Sequence, residues 1–171
     1  MKVVTWNVRG TGRPDFVSQV RKLLKDLTPD ILFLFETRVN ANRSIDILAK
    51  LQFDCFDFVN LVGFSGGLWL CWNSNVISMD IIMKNDKMFH CMVYFSNLNI
   101  NCFFFTFLYG YPQHFKQKEI WDMLLNIKNS IIGPSAIVGD FNEILHAHEK
   151  IAIDNCHLLE TRIIWLTIYL V

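Results

Sequence analysis

Three short apolar runs, each of strand length and each followed at once by polar residues, constrain the fold of this chain most. Ile31 to Phe35 is apolar throughout, and the runs 3–6 and 136–138 are strongly apolar as well. Runs of this length that are bounded by turn signals are typical of buried strands. Because the ends of packed strands are where a sheet displays functional groups, the polar residues after these runs are the first candidates for a site.

Helical and strand signals fill the rest of the chain. Apolar residues recur at helical spacing from Phe16 to Leu27, with Pro14 near the first turn. A shorter helix is predicted over 44–51 with Ser44 as its cap, and a third over 117–131. The buried face of that third helix is predicted to carry Ile120, Trp121, Leu124 and Leu125, and Ile131 is a further candidate. Strands are predicted at 56–59, 67–72, 76–83, 88–95 and 100–108. This order predicts an α+β fold with antiparallel pairing.

Composition narrows the class of protein further. The chain has 171 residues, of which 52% are hydrophobic, with 15 Phe and 5 Trp. This predicts one well-filled domain and argues against disorder. A formal net charge of zero means that no strong basic field attracts nucleic acid, so any such binding needs a local patch.

Cysteine usage and hydropathy bear on location. The five cysteines form no CxxC pair, and no secretory signal follows Met1. They are interpreted as reduced thiols of a protein in the cytoplasm or nucleus, not a secreted one. The apolar run 163–171 is too short to span a bilayer, so no membrane partner is expected.

The three polar clusters have a common chemistry. They consist of Asn7, of Glu36, and of Asp140 with Asn142. Carboxylate and carboxamide oxygens suit a hard divalent cation such as Mg²⁺, which keeps several of its waters. The alternative is that these residues form turns, which Asn and Asp do in any protein.

A second metal motif is weaker. His146 and His148 form an HxH pair that could bind zinc, but only Cys156-His157 could complete it. Surface histidines are the favoured interpretation.

Five motifs occur together in a fixed order. They are Trp6-Asn7-Val8-Arg9-Gly10, Phe35-Glu36-Thr37-Arg38, Ser65-Gly66-Gly67-Leu68, Tyr109-Gly110-Tyr111-Pro112 and Gly139-Asp140-Phe141-Asn142-Glu143. Over residues 1–150 the chain resembles the endonuclease/exonuclease/phosphatase superfamily. The residues that form the motifs are most similar to those of the endonuclease domain of non-LTR retrotransposons. The resemblance implies an α+β fold of two packed, mainly antiparallel β-sheets flanked by helices, a four-layer sandwich.

The resemblance also implies a metal and a substrate. Glu36 would be the main ligand of Mg²⁺, with Mn²⁺ as an alternative, and DNA would be the ancestral substrate. Asn7 would lie beside Glu36 and contact the metal or a phosphate. Arg9 and Arg38, which lie beside the proposed site, could bind phosphate, although a solvated surface position is an equal alternative for both.

The remaining matched positions would carry the chemistry. Asp140 would position or deprotonate the attacking water, and Asn142 would orient Asp140 and the scissile phosphate. Tyr109 would donate a hydrogen bond to the phosphate as charge develops. A strand-end aromatic with no such role is the alternative for Tyr109.

The chain departs from the superfamily pattern at one end. It contains no Ser-Asp-His sequence, and residues 151–171 form a hydrophobic tail that does not resemble the family. The expectation is therefore a fold without its last strands and an impaired phosphodiesterase. A non-catalytic remnant, or a phosphoesterase acting on a small or lipid phosphate, are the alternatives.

Overall fold

The computed structural model describes residues 1–62, 65–95, 102–142 and 163–164. These residues form three helices and nine strands, in the following order along the chain. The elements are β1 (Val3–Asn7), α1 (Phe16–Leu27), β2 (Ile31–Phe35), α2 (Ala41–Leu48), β3 (Cys55–Val62), β4 (Ser65–Trp72), β5 (Ile77–Lys84), β6 (Met88–Phe95), β7 (Phe103–Tyr109), α3 (His114–Ser130), β8 (Ser135–Asp140) and β9 (Ile163–Ile164).

The strands form two mixed sheets. The first has the order β3-β4-β2-β1-β9 and the second the order β5-β6-β7-β8. Only β1/β2 and β7/β8 are parallel among these pairs; the others are antiparallel. A parallel pair needs a crossover, and α1 and α3 supply the two crossovers. The predicted sandwich of two packed sheets flanked by helices is confirmed.

The register of β2 explains its continuous apolar run. Ile31, Phe33 and Phe35 face a core between the two sheets, which they share with Phe105 and Phe107 of β7. Leu32 and Leu34 face the opposite way, into a second core that α1 and α2 cover. Each buried side chain of this size contributes about 1.5–3 kcal/mol. A polar residue anywhere in 31–35 would therefore be buried at a cost.

The buried face of α3, the helix that packs on the second sheet, is narrower in the structure than the sequence predicts. Gln117, Ile120 and Leu124 of α3 are buried against the sheet, whereas Trp121 and Leu125 are 45% and 58% exposed. The prediction that Trp121 and Leu125 belong to the buried face was wrong. Each residue turns by about 100° around the helix, so only one stripe faces the sheet.

The cap of α2 was also predicted wrongly. The helix begins at Ala41, and the side chain of Asn40 accepts a hydrogen bond from the Arg43 N–H at 3.0 Å. Asn at this position caps as well as Ser does. Ser44 lies inside the helix, where its buried Oγ accepts a 3.1 Å hydrogen bond from Trp69 Nε1.

Several sequence predictions lie outside the described residues. These are the start of the strand at 100–101, His146, His148 and most of the tail. The four cysteines that the structure describes are free thiols, and Cys71 and Cys91 among them are buried. No helix within the described ranges is both long and apolar enough to cross a membrane.

Candidate active site

The two parallel strand pairs place the predicted residues at one edge of the sandwich. β1 ends at Asn7, which pairs with Phe35, so Glu36 follows directly. β7 ends at Tyr109, which pairs with Asp140, the last residue of β8. The two sheets meet here, because the Phe35 and Tyr109 rings stack with centroids 5.0 Å apart. Residues far apart in sequence are thereby gathered at the carboxyl ends of four strands.

The carboxylate of Glu36 is the centre of this group. Tyr109 Oη donates to Glu36 Oε1 at 2.6 Å, and Asn7 Nδ2 donates to the same oxygen at 3.0 Å. The guanidinium of Arg38 pairs with the other oxygen, Oε2. The Glu36 side chain is only 15% exposed. Three donors from both sheets thus fix one carboxylate in a single orientation.

These contacts set the protonation of both partners. Burial raises the pKa of Glu36, but the hydrogen bonds from Tyr109 and Asn7 and the charge of Arg38 outweigh it, so the pKa is lowered overall. Burial, followed by the hydrogen bond to Glu36 and its negative charge, raises the pKa of Tyr109. Near neutral pH the pair is an ionised acceptor and a protonated donor.

The backbone that carries Glu36 has an unusual conformation. Glu36, Arg38 and Arg9 have φ angles of 57°, 54° and 47°, in the left-handed region that non-glycine residues rarely adopt. The parallel hydrogen bonding of β1 and β2 continues past the strands, with Gly10 N donating to Glu36 O at 2.7 Å and Thr11 N to Thr37 O at 2.9 Å. Such conformations persist where the surroundings hold them, and they cluster at functional sites.

A glycine permits the closest packing beneath this loop. A Cβ added to Gly67 would lie 2.3 Å from Thr37 Oγ1, and Gly67 has a φ of +85°. Its carbonyl accepts from Thr37 N at 3.2 Å, and the carbonyl of Gly66 accepts from Arg38 N at 3.1 Å. The Ser65-Gly66-Gly67 motif therefore supports the Glu36 loop from below.

Asp140 and Asn142 form the other half of the edge. The backbone N–H of Asn142 donates to Asp140 Oδ1 at 2.9 Å, while its side-chain Nδ2 donates to Gly110 O at 2.8 Å. Asn142 has a φ of 52°, and its carbonyl accepts from Gln117 Nε2 at 2.7 Å. Asn142 thus contacts Asp140 through its backbone, while its side chain binds the loop that follows β7 at Gly110.

Gly139 brings β8 close enough to β7 for this arrangement. A Cβ at Gly139 would lie 1.8 Å from Leu108 O, and the φ of Gly139 is +143°. Only a residue without a Cβ allows this approach. The negative charge of Asp140 contributes to the raised pKa of Tyr109, so the two side chains lie within electrostatic reach.

Arg9 and Arg38, predicted beside the site, differ in their contacts. The backbone N–H of Arg9 donates to Asn7 Oδ1 at 3.1 Å, and its side chain is exposed. Arg38 pairs directly with Glu36 while its side chain stays 47% exposed. The structure thus brings Asn7, Glu36, Tyr109 and Arg38 into direct contact.

A cleft of about 380 Å³ opens beside Glu36 and Tyr109. Lys87, Tyr111 and Lys116 also line it, and sequence reasoning did not select any of them. Lys87 Nζ lies 4.3 Å and Lys116 Nζ 5.2 Å from the centroid of the Tyr111 ring. Two features of the sequence could have indicated this part of the cleft. They are Tyr111, the second tyrosine of the motif 109–112, and Lys116, a basic residue in the first turn of α3.

The side chains at this edge offer oxygen atoms of the kind that a hard cation binds. No group of three or more His, Cys, Asp or Glu side chains comes together in the ranges that the structure describes. Mg²⁺ requires no such group, since it binds through one or two carboxylates and keeps its waters. An ionised, oriented Glu36 fits that requirement, and the neighbouring Asn7 side chain, whose nitrogen faces Glu36 and whose oxygen accepts from the Arg9 N–H, carries a further oxygen of the same kind.

Known structures share this fold. TDP2 from D. rerio complexed with a single-strand DNA product aligns with a TM-score of 0.62 and 16% identity, over 84% of this chain and 61% of that one. The 3′ phosphatase NExo from Neisseria bound to a product DNA hairpin gives 0.52 and 19%, over 83% and 58%. The catalytic domain of human Nocturnin gives 0.54 and 15%, over 84% and 64%. The chain spans about six tenths of the length of these proteins.

Sequence comparison identifies the family. No curated protein sequence matches the chain significantly. The family model described as Endonuclease/Exonuclease/phosphatase family matches residues 4–165, which is nearly the whole chain. Enzymes of this family generally use divalent metal ions, typically Mg²⁺. This chain belongs to the endonuclease/exonuclease/phosphatase family.

Proposed function

We propose that this chain is a metal-dependent phosphodiesterase domain that cleaves DNA. The observation that carries the proposal is the Glu36 carboxylate, held by Tyr109 and Asn7 on one oxygen and by Arg38 on the other. A carboxylate fixed in this way, ionised and only partly exposed, is pre-organised for a charged reaction.

Glu36 and Asn7 are the residues that would hold Mg²⁺, or Mn²⁺ in its place. When bound, the ion neutralises charge on the phosphate oxygens as the transition state forms. The chain's own contribution is the geometry, because Asn7 Nδ2 and Tyr109 Oη keep Glu36 Oε1 in place at 3.0 Å and 2.6 Å. The Asn7 side-chain oxygen is aligned in turn by the Arg9 N–H.

Asp140 and Tyr109 would act on the reacting groups. Asp140 is oriented by the Asn142 N–H and would position the attacking water or accept its proton. Tyr109 keeps its phenol proton, since its pKa is raised by burial and by Glu36, and would donate a hydrogen bond to the phosphate. Asn142 and Arg9 would help to bind that phosphate, Asn142 after its amide leaves Gly110 O.

DNA is the proposed substrate for two reasons. Structures of the same fold were solved with DNA, TDP2 with a single-strand product and NExo with a hairpin. The motif sequences around Asn7, Glu36 and Asp140 also resemble those of retroelement endonucleases. We propose that the domain derives from such an element and that it is located in the cytoplasm or nucleus. The impaired hydrolysis expected from the sequence stays a prediction.

Nicking of supercoiled plasmid tests the proposal. Purified protein is incubated with Mg²⁺ or with chelator, and Glu36→Gln and Asp140→Asn are compared with Asp46→Asn, an exposed carboxylate on α2. Metal-dependent nicking that both site variants lose and Asp46→Asn retains would support the proposal. Folded wild-type protein that neither nicks nor shows a Mg²⁺-dependent thermal shift would make the non-catalytic remnant the better description.

A further inference from the structure

A pair of lysines flanks one aromatic ring in the cleft beside Glu36. Lys87 precedes β6 and Lys116 lies in the first turn of α3, so the chain brings them together from different elements. The ammonium groups lie 4.3 Å and 5.2 Å from the centroid of the Tyr111 ring, and Lys87 Nζ is also 5.6 Å from that of Tyr109. The ring faces attract both cations but do not neutralise them.

The two ammonium groups differ in their counter-ions. Lys87 is 13% exposed, and its Nζ lies 3.5 Å from Asp86 Oδ2 on a side chain that is 47% exposed. Within the part of the chain that the structure describes, no carboxylate forms an ion pair with Lys116. Two like charges around one ring, with only one solvated carboxylate in ion-pair contact with them among the described residues, leave a net positive charge beside the ring. An anion bound there would reduce the repulsion between them.

The position of these lysines indicates which anion fits. The cleft of about 380 Å³ that they line is continuous with Glu36, Arg38 and Tyr109. A small phosphoester would occupy the Glu36 end alone, whereas a polynucleotide carries further phosphates on either side of the scissile one. Lysine ammonium groups bind phosphate as point charges, without the fixed geometry that a reacting group needs.

We propose that Lys87 and Lys116 form a second phosphate subsite, which binds a backbone phosphate next to the scissile phosphodiester and selects polynucleotides over small or lipid phosphoesters. The subsite rests on the proposed function, because it serves the same cleft. Asp86 and Glu119 are close enough to influence Tyr111, so the positive field is local and suits one phosphate, not a long tract. This local field agrees with a net charge of zero for the chain.

Salt-dependent binding of a labelled single-stranded oligonucleotide tests the subsite. Binding is measured by fluorescence anisotropy with chelator present, so that no cleavage occurs. Each lost phosphate contact is expected to reduce the slope of log K against log salt by about 0.7 for a single strand. Lys87→Gln and Lys116→Gln each remove one of the two charges on the same phosphate, so each should show up to this loss, while Lys118→Gln, the same charge change on an exposed part of α3, should leave the slope unchanged.

Two controls separate folding from binding. Circular dichroism checks each variant, and Lys87→Arg, which retains the charge, should restore most of the affinity that Lys87→Gln loses. Equal slopes for Lys87→Gln, Lys116→Gln and the wild type would overturn the subsite, and so would an equal loss in all three Gln variants. If wild-type protein nicks DNA with these slopes unchanged, only the subsite fails; if the lysines control binding without hydrolysis, only the proposed function fails.

Discussion

Two groups of side chains share the cleft but are held in different ways. The carboxylate corner, formed by Asn7, Glu36, Arg38 and Tyr109, depends on directional hydrogen bonds and on a loop with positive φ angles. The lysine pair, Lys87 and Lys116 around Tyr111, depends on cation–π contacts that have no strict direction.

The difference indicates a division of labour. Directional contacts fix atoms to within a fraction of an ångström, which a reaction needs and a binding contact does not. Long lysine stems with several rotatable bonds can follow a flexible backbone phosphate, at an entropic cost. The corner is accordingly expected to control turnover, and the lysine pair to control affinity and its salt dependence.

The largest expected effect tests that division directly. Glu36→Gln keeps the shape of the side chain but removes its charge. We expect nicking to fall by about a hundred- to a thousand-fold, as when one pre-organised electrostatic group is lost, with oligonucleotide affinity in chelator nearly unchanged. Single-turnover cleavage and anisotropy give the two values. If affinity falls as much as turnover, the corner also binds the ground state and the division is wrong.

The next prediction concerns the rigidity of the corner. Gly66 and Gly67 both have φ of +85°, but a Cβ would meet nothing within 4 Å at Gly66 and Thr37 Oγ1 at 2.3 Å at Gly67. Gly66→Ala should cost about 1–2 kcal/mol for its backbone conformation alone. Gly67→Ala should cost about 1–3 kcal/mol more because of overpacking. Urea denaturation measures both, and equal losses would show that Thr37 moves aside freely.

The sequence predicted the apolar framework well, for a physical reason. The run 31–35 is apolar at every position because β2 is buried on both faces, and that pattern is visible in one dimension. The placement of Glu36 after β2 and Asp140 at the end of β8 followed from the same runs. Patterns of burial are local properties of a strand, so they can be recognised without knowing the partner strand.

Contacts between elements could not be predicted in this way. The lysine pair joins Lys87 and Lys116 through a ring at position 111, and nothing in the spacing of these residues indicates their proximity. The exposed positions of Trp121 and Leu125 likewise depend on the rotation of α3 against the sheet. The cap of α2 is Asn40 and not the predicted Ser44, and the sequence could not distinguish them because both residue types suit a cap position.

A smaller effect is expected at the phenol of the corner. Tyr109→Phe keeps the ring that stacks on Phe35 and removes the hydrogen bond to Glu36 Oε1. A hydrogen bond to a charged group contributes about 1.5–3 kcal/mol, and the Asn7 amide retains the same oxygen, so a loss near the lower end is expected, about tenfold in cleavage. Comparison with Phe35→Leu, which alters the stacking and the core packing but leaves the hydroxyl in place, separates the ring from the hydroxyl. Full activity in Tyr109→Phe would show that the Tyr109 hydroxyl takes no part in the reaction.

The smallest expected effect is the pH dependence of stability at Glu36. Its pKa is lowered in the folded protein from an ordinary value of 4.5, because the contacts from Tyr109, Asn7 and Arg38 outweigh burial. The ionised form is therefore favoured by folding, so its contribution to the free energy of unfolding is present above pH 4.5 and is lost as the pH falls through the lowered value.

Glu36→Gln cannot titrate at this position and is the matched reference for that measurement. Urea midpoints of both proteins are compared between pH 7 and pH 3, and the advantage of the wild type over Glu36→Gln should shrink as acid is added. Because burial opposes the favourable contacts, the change is expected to be modest compared with the loss of cleavage. An advantage that grows on acidification would mean that burial dominates, and that the corner holds Glu36 against its preferred protonation state.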